Sequence, residues 1–375
     1  MRAPKNPFLL IGYHSPKYFC DRKVEFSWME EQVLNERNMV FYAHRRMGKT
    51  VLIRHFFYHL EKKKQASTLF IDLFGTATIE EANKKIASAI IQKFGEFKGG
   101  IGQRMLNLLS ALGATIGLDP LSGTPQVSLS LNPPIATEKS LEVLGEFLMQ
   151  EKKPIIIAID EFQQILHYPE KNVEAVFRSW VQALPMIRFI FSGSHRRMMQ
   201  SMFTDQSRPF YNSAQLYDLQ AIDRDEYEAF IQGFFATSSS KMDKVIIQDI
   251  FEWTRMQTYY VQLLCNKLYA KQQMVDPELL AEVKHEMVQQ EAPVFSSYLE
   301  LFTDTQWKVL KAIALEEKVQ SPQSQEFVQI HNLGAASSVA TALKVLLTKG
   351  FVVYEQQQYQ LHDTLLMRWI QSLQL

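Results

Sequence analysis

The stretch that decides the fold is VFYAHRRMGKTVLI, Val40–Ile53. An apolar segment leads into Gly48–Thr50, and apolar residues then recur at every fourth position from Leu52 to Leu60, as on the buried face of a helix. A phosphate-binding loop has this order of strand, turn and helix, with the pattern G-x-x-x-x-G-K-[ST]. Ala43 stands where the pattern has its first glycine. That position only eases a tight turn, so we interpret the stretch as a phosphate-binding loop with a mild defect.

The second informative stretch is IIIAIDEF, an apolar run that ends in Asp160 and Glu161. A buried strand of an open α/β sheet directs its carboxyl end toward the ligand crevice. There we expect Asp160 to hold Mg²⁺ through water and Glu161 to act as a general base on the attacking water. Each stretch alone has a plain explanation, a chance GKT or a strand that ends in exposed acids. Their combination indicates a nucleotide site.

The chemistry of such a site assigns further roles. Backbone N–H groups at the start of the helix converge on an anion, Lys49 adds positive charge, and the Thr50 hydroxyl binds Mg²⁺. In FIFSGS, Ser192 and Ser194 follow a third apolar strand and can contact the γ-phosphate or the water, although Ser-Gly-Ser is also common in turns. No N-K-x-D guanine motif follows, which favours ATP or ADP with Mg²⁺. The predicted catalytic residues are Lys49, Asp160, Glu161 and Ser194, and the predicted metal ligands are Thr50 and Asp160.

Apolar strands alternate with helical patterns up to about Ala221. Strands that are apolar throughout indicate a parallel sheet that is buried on both faces. We therefore predict an α/β fold, a P-loop NTPase parallel sheet with helices on both faces. An irregular segment, about 97–137, interrupts the alternation. Its helical stretch Met105–Leu112 and its alternating stretch Gln126–Asn132 predict an insertion that ends in a hairpin.

The remainder of the chain has a different pattern. Residues 221–300 contain several helical patterns and are predicted to form a helical lid. Residues 301–375 contain three helices and then a strand, a turn and a strand, which is the arrangement of a winged helix. Gly350 follows the third helix and is expected in the left-handed region. The predicted domains are a P-loop ATPase core at 1–220, the lid at 221–300 and the winged helix at 301–375.

Charge and cysteine content exclude several classes of protein. Lys and Arg total 40, as do Asp and Glu, and the pI is near 7.1, so no overall basic field points to nucleic acid. Cys20 and Cys265 form neither a disulfide framework nor a zinc motif, which suits a reducing cytosol. No apolar run reaches the roughly 18–20 residues of a membrane helix, and Met1–Pro7 is unlike a signal peptide. We expect a cytoplasmic protein with no membrane partner.

With these motifs in place, the chain resembles the AAA+/STAND-like P-loop ATPases of the archaeal ATPase family, as a bacterial member. The segment YFCDRKVEF, Tyr18–Phe26, is similar to the family's F-x-x-R-x-x-E box and is called the N-terminal box below. Further similar stretches lie along nearly the whole chain. They are RRMGKT, FIDLF, IDEFQQI, FIFSGSHRRMM, RPFYNSAQLYDLQAI, YYVQLLCNKLY and the terminal ALKVLLTKGFVVYEQQQYQLHDTLLMRWI.

The resemblance implies an ATP site between the sheet and the lid, closed by the N-terminal box. It implies that Phe19, Asp21 and Arg22 flank the adenine and the ribose. The implied nucleotide-binding residues in the loop are Arg46, Met47, Gly48, Lys49, Thr50 and Val51.

Two departures from the family pattern bear on function. TRMQTYY, Thr254–Tyr260, stands where the family often has T-G-G-H-P-Y-Y, so Thr258 replaces a proline. Asn212 and Ser213 stand where the family often has Gly-Arg. We therefore expect low basal ATPase activity that rises on assembly or with a partner, because an arginine from a neighbour commonly completes such sites. Arg196, Arg197 and Arg208 are the candidates for the arginine that a neighbour supplies, and the alternative is that Arg45 or Arg46, beside the loop, supplies it within the same chain.

The leading interpretation is an ATP-binding and ATP-hydrolysing molecular switch, which couples nucleotide state to a partner through the lid and the winged helix. One alternative is an ATP-dependent DNA-binding protein, and another is a nucleotide-binding scaffold that does not hydrolyse. Residues 304–375 carry six Lys or Arg and six Asp or Glu. DNA affinity depends largely on neutralising phosphates, so DNA is possible but not favoured. We expect a protein partner or self-assembly.

Overall fold

The structure is a computed structural model, and it describes residues 3–94, 114–118, 125–129, 135–236 and 241–374. The chain divides into two compact units. The core unit is Tyr13–Gln220, and the lid–wing unit comprises residues 3–12 and 221–374. The core unit starts later than the predicted core of residues 1–220, whose bounds stay a prediction. The division of residues 221–375 into a lid and a winged helix stays a prediction.

Strands and helices alternate in the core unit, and helices predominate in the lid–wing unit. The strands are β1 Met39–Tyr42, β2 Ser67–Asp72, β3 Ala114–Leu118, β4 Pro125–Leu129, β5 Ile155–Asp160, β6 Ile187–Gly193, β7 Gln215–Asp218, β8 Val352–Glu355 and β9 Gln358–Leu361. The helices are α1 Lys23–Leu34, α2 Lys49–Lys62, α3 Ile79–Phe94, α4 Ile135–Met149, α5 Val173–Gln182, α6 Arg196–Thr204, α7 Arg224–Phe235, α8 Lys244–Thr254, α9 Thr258–Ala270, α10 Pro277–Ser297, α11 Asp304–Glu316, α12 Gln325–Ile330, α13 Ala336–Thr348 and α14 Thr364–Ser372. Within the described ranges, none of the helices has the length and apolar character needed to cross a bilayer.

One parallel sheet of five strands, in the order β2-β5-β6-β1-β7, organises the core unit. Successive residues of a strand face opposite sides of a sheet. Val40 and Tyr42 pack on the side covered by α3 to α6, whereas Met39 and Phe41 pack on the side of α1 and α2. Burial on both faces explains why these strands are apolar throughout. The predicted P-loop type of sheet, with helices on both faces, is confirmed.

The ends of the strands decide where polar side chains meet. Because the strands are parallel, their carboxyl ends lie along one edge of the sheet. β1 leads into Ala43, β5 ends at Asp160, and β6 ends at Gly193. Asp72 at the end of β2 lies in register with Asp160. This edge is called the catalytic edge below, because it gathers the predicted catalytic residues.

β7 and the β3–β4 hairpin lie where the sequence pattern is less regular. The sequence pattern does not predict β7, because this edge strand reads QLYD and its side chains are only partly buried. In the insertion, β3 and β4 form an antiparallel hairpin, in agreement with the alternating stretch Gln126–Asn132. The helix predicted at Met105–Leu112 lies outside the described residues.

Side-chain caps set the helix starts in the lid–wing unit. Asp223, Asp276, Thr303 and Asp363 each accept hydrogen bonds from backbone N–H groups of the first turn of α7, α10, α11 and α14. Such caps satisfy donors that have no partner within the helix. Gly350 lies just beyond α13 with φ +75°, as predicted. The segment from α11 through β8, β9 and α14 has the predicted winged-helix order.

The segment of residues 3–12 is fixed to the lid helices. Phe8 is fully buried, with its ring centroid 5.4–6.4 Å from the rings of Phe230, Phe234, Phe235 and Tyr269. Asn6 Nδ2 donates to the Asn266 carbonyl oxygen at 2.8 Å, and Asn266 Nδ2 donates to the Phe8 carbonyl oxygen at 2.7 Å. The N-terminal segment is thus an integral part of the lid–wing unit.

Candidate functional site

The loop between β1 and α2 requires glycine at one of its two expected positions. Gly48, the residue before α2, has φ +89°, a conformation that favours glycine. Ala43 is not among the described residues with positive φ. Its methyl group is buried with β1 and α2 in the core. The departure at Ala43 therefore introduces no left-handed strain.

Lys49 places a buried positive charge at the start of α2. Its Nζ donates to the carbonyl oxygens of Ala43 and His44, at 3.1 Å each. Burial lowers the pKa of Lys49, and the nearby carboxylates of Asp160 and Glu161 oppose that shift. A helix N-terminus directs backbone N–H groups at an anion, so the buried ammonium and the helix start together favour a phosphate group.

Asp160 joins three elements of the catalytic edge. Its Oδ2 accepts from Thr50 Oγ1 at 2.6 Å, which links β5 to the first turn of α2. Its Oδ1 accepts from Ser192 Oγ at 2.5 Å and from the Glu161 N–H at 3.0 Å. The two predicted metal ligands, Thr50 and Asp160, are therefore in direct contact. Ser192, which the sequence pattern places at the end of an apolar strand but which is outside the predicted catalytic set, also belongs to this cluster.

Glu161 has an unusual backbone and a well-defined side chain. Its φ is +52°, in the left-handed region. Its Oε2 accepts from Ser194 Oγ at 2.8 Å and also from Gln163 Nε2. Arg45 Nε lies 3.5 Å from Ser194 Oγ. The structure thus brings the predicted residues Glu161 and Ser194 together, and it adds Gln163 and Arg45 beside them.

The N-terminal box contacts α2 and the loop. The Phe19 ring stacks on His55 of α2, with centroids 4.0 Å apart and planes 12° apart. Burial lowers the pKa of His55 to about 4, so that the imidazole is neutral at neutral pH. Arg22 is buried and donates to Glu25 Oε1 and to the Gln220 carbonyl oxygen at 2.7 Å each, and to the Met47 carbonyl oxygen at 3.1 Å. These bonds brace the loop, while a contact with nucleotide stays a prediction.

The remaining predicted loop and box residues differ in exposure. Arg46 is exposed with φ +70°, and Met47 packs partly buried against the core. Val51 lies half-buried in the first turn of α2. Asp21 has φ +50° before α1. Arg46, Met47 and Val51 therefore lie at the start of α2, and Asp21 precedes Arg22, which bonds to the loop.

The candidate arginines after β6 are held in different ways. Arg196 forms an ion pair with Asp218 at the end of β7. Arg208 forms an ion pair with Glu174 of α5, with its Nη2 2.8 Å from Oε2. Arg197 is exposed.

The lid loop between α8 and α9 contacts the winged helix. Arg255 donates to Gln360 Oε1, and Gln257 Nε2 donates to the His362 carbonyl oxygen at 2.8 Å. Tyr260 OH donates to Asp363 Oδ1 at 2.5 Å. Arg255 and Met256 have φ of +52° and +57°, where the family pattern has two glycines.

Comparison with known proteins agrees with this architecture. The family model described as "ATPase domain predominantly from Archaea" matches residues 19–264, and the model described as "Probable winged helix domain" matches residues 293–372. No curated protein matches the chain.

Solved structures share the fold at low sequence identity. The Walker-type ATPase of Pyrococcus abyssi has a TM-score of 0.66 and 18% identity, over 97% of this chain and 99% of that chain. The ORC2 protein of Aeropyrum pernix, solved as ADPNP–ADP complexes, has a TM-score of 0.61 and 14% identity, over 98% of each chain. The ORC1 protein of Aeropyrum pernix in complex with DNA has a TM-score of 0.54 and 12% identity, over 98% of this chain and 96% of that chain.

Proposed function

The chain belongs to the family of ATPase domains found predominantly in archaea, and we propose that it binds and hydrolyses Mg-ATP at the catalytic edge. Family membership supports nucleotide binding and ATPase activity in general. The observation that carries the residue-level proposal is the Asp160 carboxylate, which joins Thr50 of α2 to Ser192 of β6 and to the backbone of Glu161. This arrangement unites the phosphate-binding loop with the acidic strand.

In this proposal the loop and Asp160 hold the phosphates and the metal. Gly48 gives the anion close access to the backbone N–H groups, and Lys49 contributes its ammonium to the β- and γ-phosphates. Thr50 and Asp160 would hold Mg²⁺, whose hydroxyl and carboxylate ligands suit a hard cation. When bound, Mg²⁺ neutralises negative charge that develops on the phosphates.

Glu161 is proposed to accept a proton from the attacking water. Ser194 donates to Glu161 Oε2 and so fixes the carboxylate at the end of β6. A carboxylate held at one oxygen by a hydrogen bond is oriented for general base catalysis.

We propose that the lid–wing unit transmits the nucleotide state. Arg255, Gln257 and Tyr260 of the lid bind the segment Gln360–Asp363 of the winged helix. These bonds support joint movement of the lid helices and the winged helix. ATP binding and hydrolysis would then select between two arrangements of the same unit, as in other nucleotide switches.

The winged helix is proposed to contact protein rather than DNA, although the ORC1 protein named above is bound to DNA. The exposed residues in the middle and last turns of α13 are mainly hydroxyl-bearing, and Lys344 is the charged residue among them. Lys349, just after α13, donates to the Leu301 carbonyl oxygen at 2.8 Å. A surface with so little positive charge is poorly suited to neutralising phosphates.

We expect low basal ATPase activity because two of the candidate arginines are held in ion pairs. Arg196 and Arg208 are held by Asp218 and Glu174 within the core unit. We propose that a neighbouring copy or a partner supplies the cation that completes catalysis. A specific activity that rises with protein concentration would support this.

The deciding experiment for nucleotide binding is Lys49→Ala, titrated with a fluorescent ATP analogue in the presence of Mg²⁺. We expect no measurable binding, because the buried ammonium at the start of α2 is lost. Lys62→Ala, at the exposed far end of the same helix, is the control and should bind like the wild type. Equal binding by Lys49→Ala would refute the proposed site.

A further inference from the structure

Gln163 is a buried polar side chain that packing alone does not explain. It lies in the 3-10 helix Phe162–His167 directly after β5 and is 7% exposed. Its Nε2 donates to Glu161 Oε2. Its Oε1 is buried without a hydrogen-bond partner among the described residues. Burial of an unsatisfied amide oxygen is unfavourable, and an apolar side chain of the same length would avoid it.

The direction of the amide follows from the chemistry of its partner. A carboxylate accepts hydrogen bonds and does not donate them, so the NH₂ of Gln163 must face Glu161. Ser194 Oγ donates to the same oxygen, Oε2, at 2.8 Å. Two donors from different elements therefore fix the rotation of the Glu161 carboxylate.

Gly193 keeps the space that Gln163 occupies. Gly193 is not among the glycines with positive φ, so its backbone conformation does not require glycine. A Cβ at this position would collide with Gln163 Oε1 and would lie 2.6 Å from Met199 Cγ. A side chain at position 193 would therefore have to displace the Gln163 amide and the end of the Met199 side chain.

We propose that Gln163 is a positioning residue for ATP hydrolysis, which orients the Glu161 carboxylate toward the attacking water, and that Gly193 makes room for it. The inference rests on the proposed function, because it requires Glu161 as the general base. Gln163 acts through Glu161 and does not contact the nucleotide. Its loss should therefore reduce turnover and leave nucleotide affinity unchanged.

The first test is Gln163→Met, which preserves length and volume but removes the donor. In single-turnover hydrolysis with the protein in excess over radiolabelled ATP, we expect the rate to fall about 10- to 100-fold, the usual effect of a misplaced catalytic group. The Kd for a fluorescent ATP analogue should stay within about twofold of the wild type. Gln164→Ala is the matched control, because Gln164 Nε2 donates to the Thr76 carbonyl oxygen and not to Glu161.

Coupling between Gln163 and Glu161 provides the second test. Glu161→Gln should reduce the rate on its own, and adding Gln163→Met to it should cause no further loss. Gly193→Ala should lower the hydrolysis rate about as much as Gln163→Met does. When Gln163→Ala is already present, Gly193→Ala should lower the rate less, since the shorter side chain leaves space for the Cβ. This glycine variant tests the proposal independently if Gln163→Met fails to fold.

The possible results separate this inference from the function on which it rests. If Glu161→Gln is slow while Gln163→Met and Gly193→Ala hydrolyse at the wild-type rate, the inference fails and the proposed function stands. A parallel loss of rate and affinity in Gln163→Met would show a merely structural role and would also overturn the inference. If the wild type does not hydrolyse ATP, or if Glu161→Gln matches it, the proposed function fails first.

Discussion

The start of the phosphate-binding loop and the lid loop both carry larger residues where the family pattern has glycine, but their backbones differ. Ala43 adopts an ordinary conformation and is buried in the core. Arg255 and Met256 are both in the left-handed region, where a side chain is unfavourable. Replacement of glycine is therefore harmless at the first loop and strained at the second.

The comparison of the two loops indicates which contacts allow left-handed strain to persist in the lid loop. Arg255 binds Gln360 of the winged helix, and the Met256 side chain is buried. These contacts offset the backbone cost in the lid loop, whereas Gly48, the position of the phosphate-binding loop that is proposed to approach an anion, is glycine with φ +89°. Large residues thus occupy left-handed positions in both loops, Arg46 at φ +70° in the first and Arg255 and Met256 in the second, whereas Gly48 carries no side chain.

The largest effect is expected for Gly48→Ala set against Ala43→Gly. The first change places a methyl group on the backbone that is proposed to approach the phosphate, and a cost of roughly 1–3 kcal/mol on binding corresponds to a loss of affinity of about 5- to 150-fold. The second change should alter the Kd for a fluorescent ATP analogue by less than about twofold. If the two variants bind the ATP analogue equally well, the backbone conformations of Gly48 and Ala43 do not determine nucleotide affinity.

A smaller effect is expected when the lid loses a bond to the winged helix. Tyr260→Phe removes the hydroxyl that donates to Asp363, the cap of α14, and we expect a local loss of about 1–2 kcal/mol. Hydrogen exchange at the amides of Leu365 and Leu366 should then be faster by about 5- to 30-fold. Tyr259→Phe, at an exposed position of α9, is the control. Unchanged exchange in Tyr260→Phe would show that the lid does not stabilise the winged helix through this bond.

Arg255→Gly should change stability little, because two effects oppose each other. Glycine relieves left-handed strain of about 1 kcal/mol, while the hydrogen bond from the guanidinium to Gln360 is lost at a similar cost. We expect the urea midpoint of the lid–wing unit to shift by an amount that corresponds to less than about 1 kcal/mol. A clearly stabilised variant would mean that the Arg255 side chain contributes nothing to the junction.

The smallest effect is expected for charge reversal on the winged helix. Lys344→Glu combined with Lys349→Glu should leave a gel shift with duplex DNA at about 50 mM salt unchanged and weak, because low salt is the most favourable condition for electrostatic binding. Tight DNA binding that weakens with salt and is abolished in the double variant would show that the winged helix also binds an anionic ligand. The proposed contrast between a loop that binds phosphate and a unit that binds protein would then be lost.

The apolar pattern of the sequence predicted the strands that are buried on both faces of the sheet. β1, β5 and β6 are apolar throughout because both faces of the sheet are covered, and their ends place Thr50 and Asp160 in contact. β7 escaped prediction because an edge strand needs no apolar run. The roles assigned to the site residues stay predictions.

Other features depend on contacts that a linear pattern does not contain. Gln163 after an acidic pair is indistinguishable from a surface glutamine until its distance from Glu161 and Gly193 is known. Arg196 is paired by Asp218, which lies on the strand that was not predicted. Phe8 finds its aromatic neighbours only when residues far along the chain have folded around it.

The anchoring of the N-terminal segment has a consequence for synthesis on the ribosome. Asn6 bonds to Asn266, which is 260 residues further along the chain, so the segment emerges long before its partner exists. At typical translation rates the delay is on the order of 10–50 s. During that interval the core unit, which is continuous in sequence, can fold, while the aromatic side chain of Phe8 is left exposed to chaperones. The lid helices can close around it only after Asn266 and Tyr269 have emerged from the ribosome.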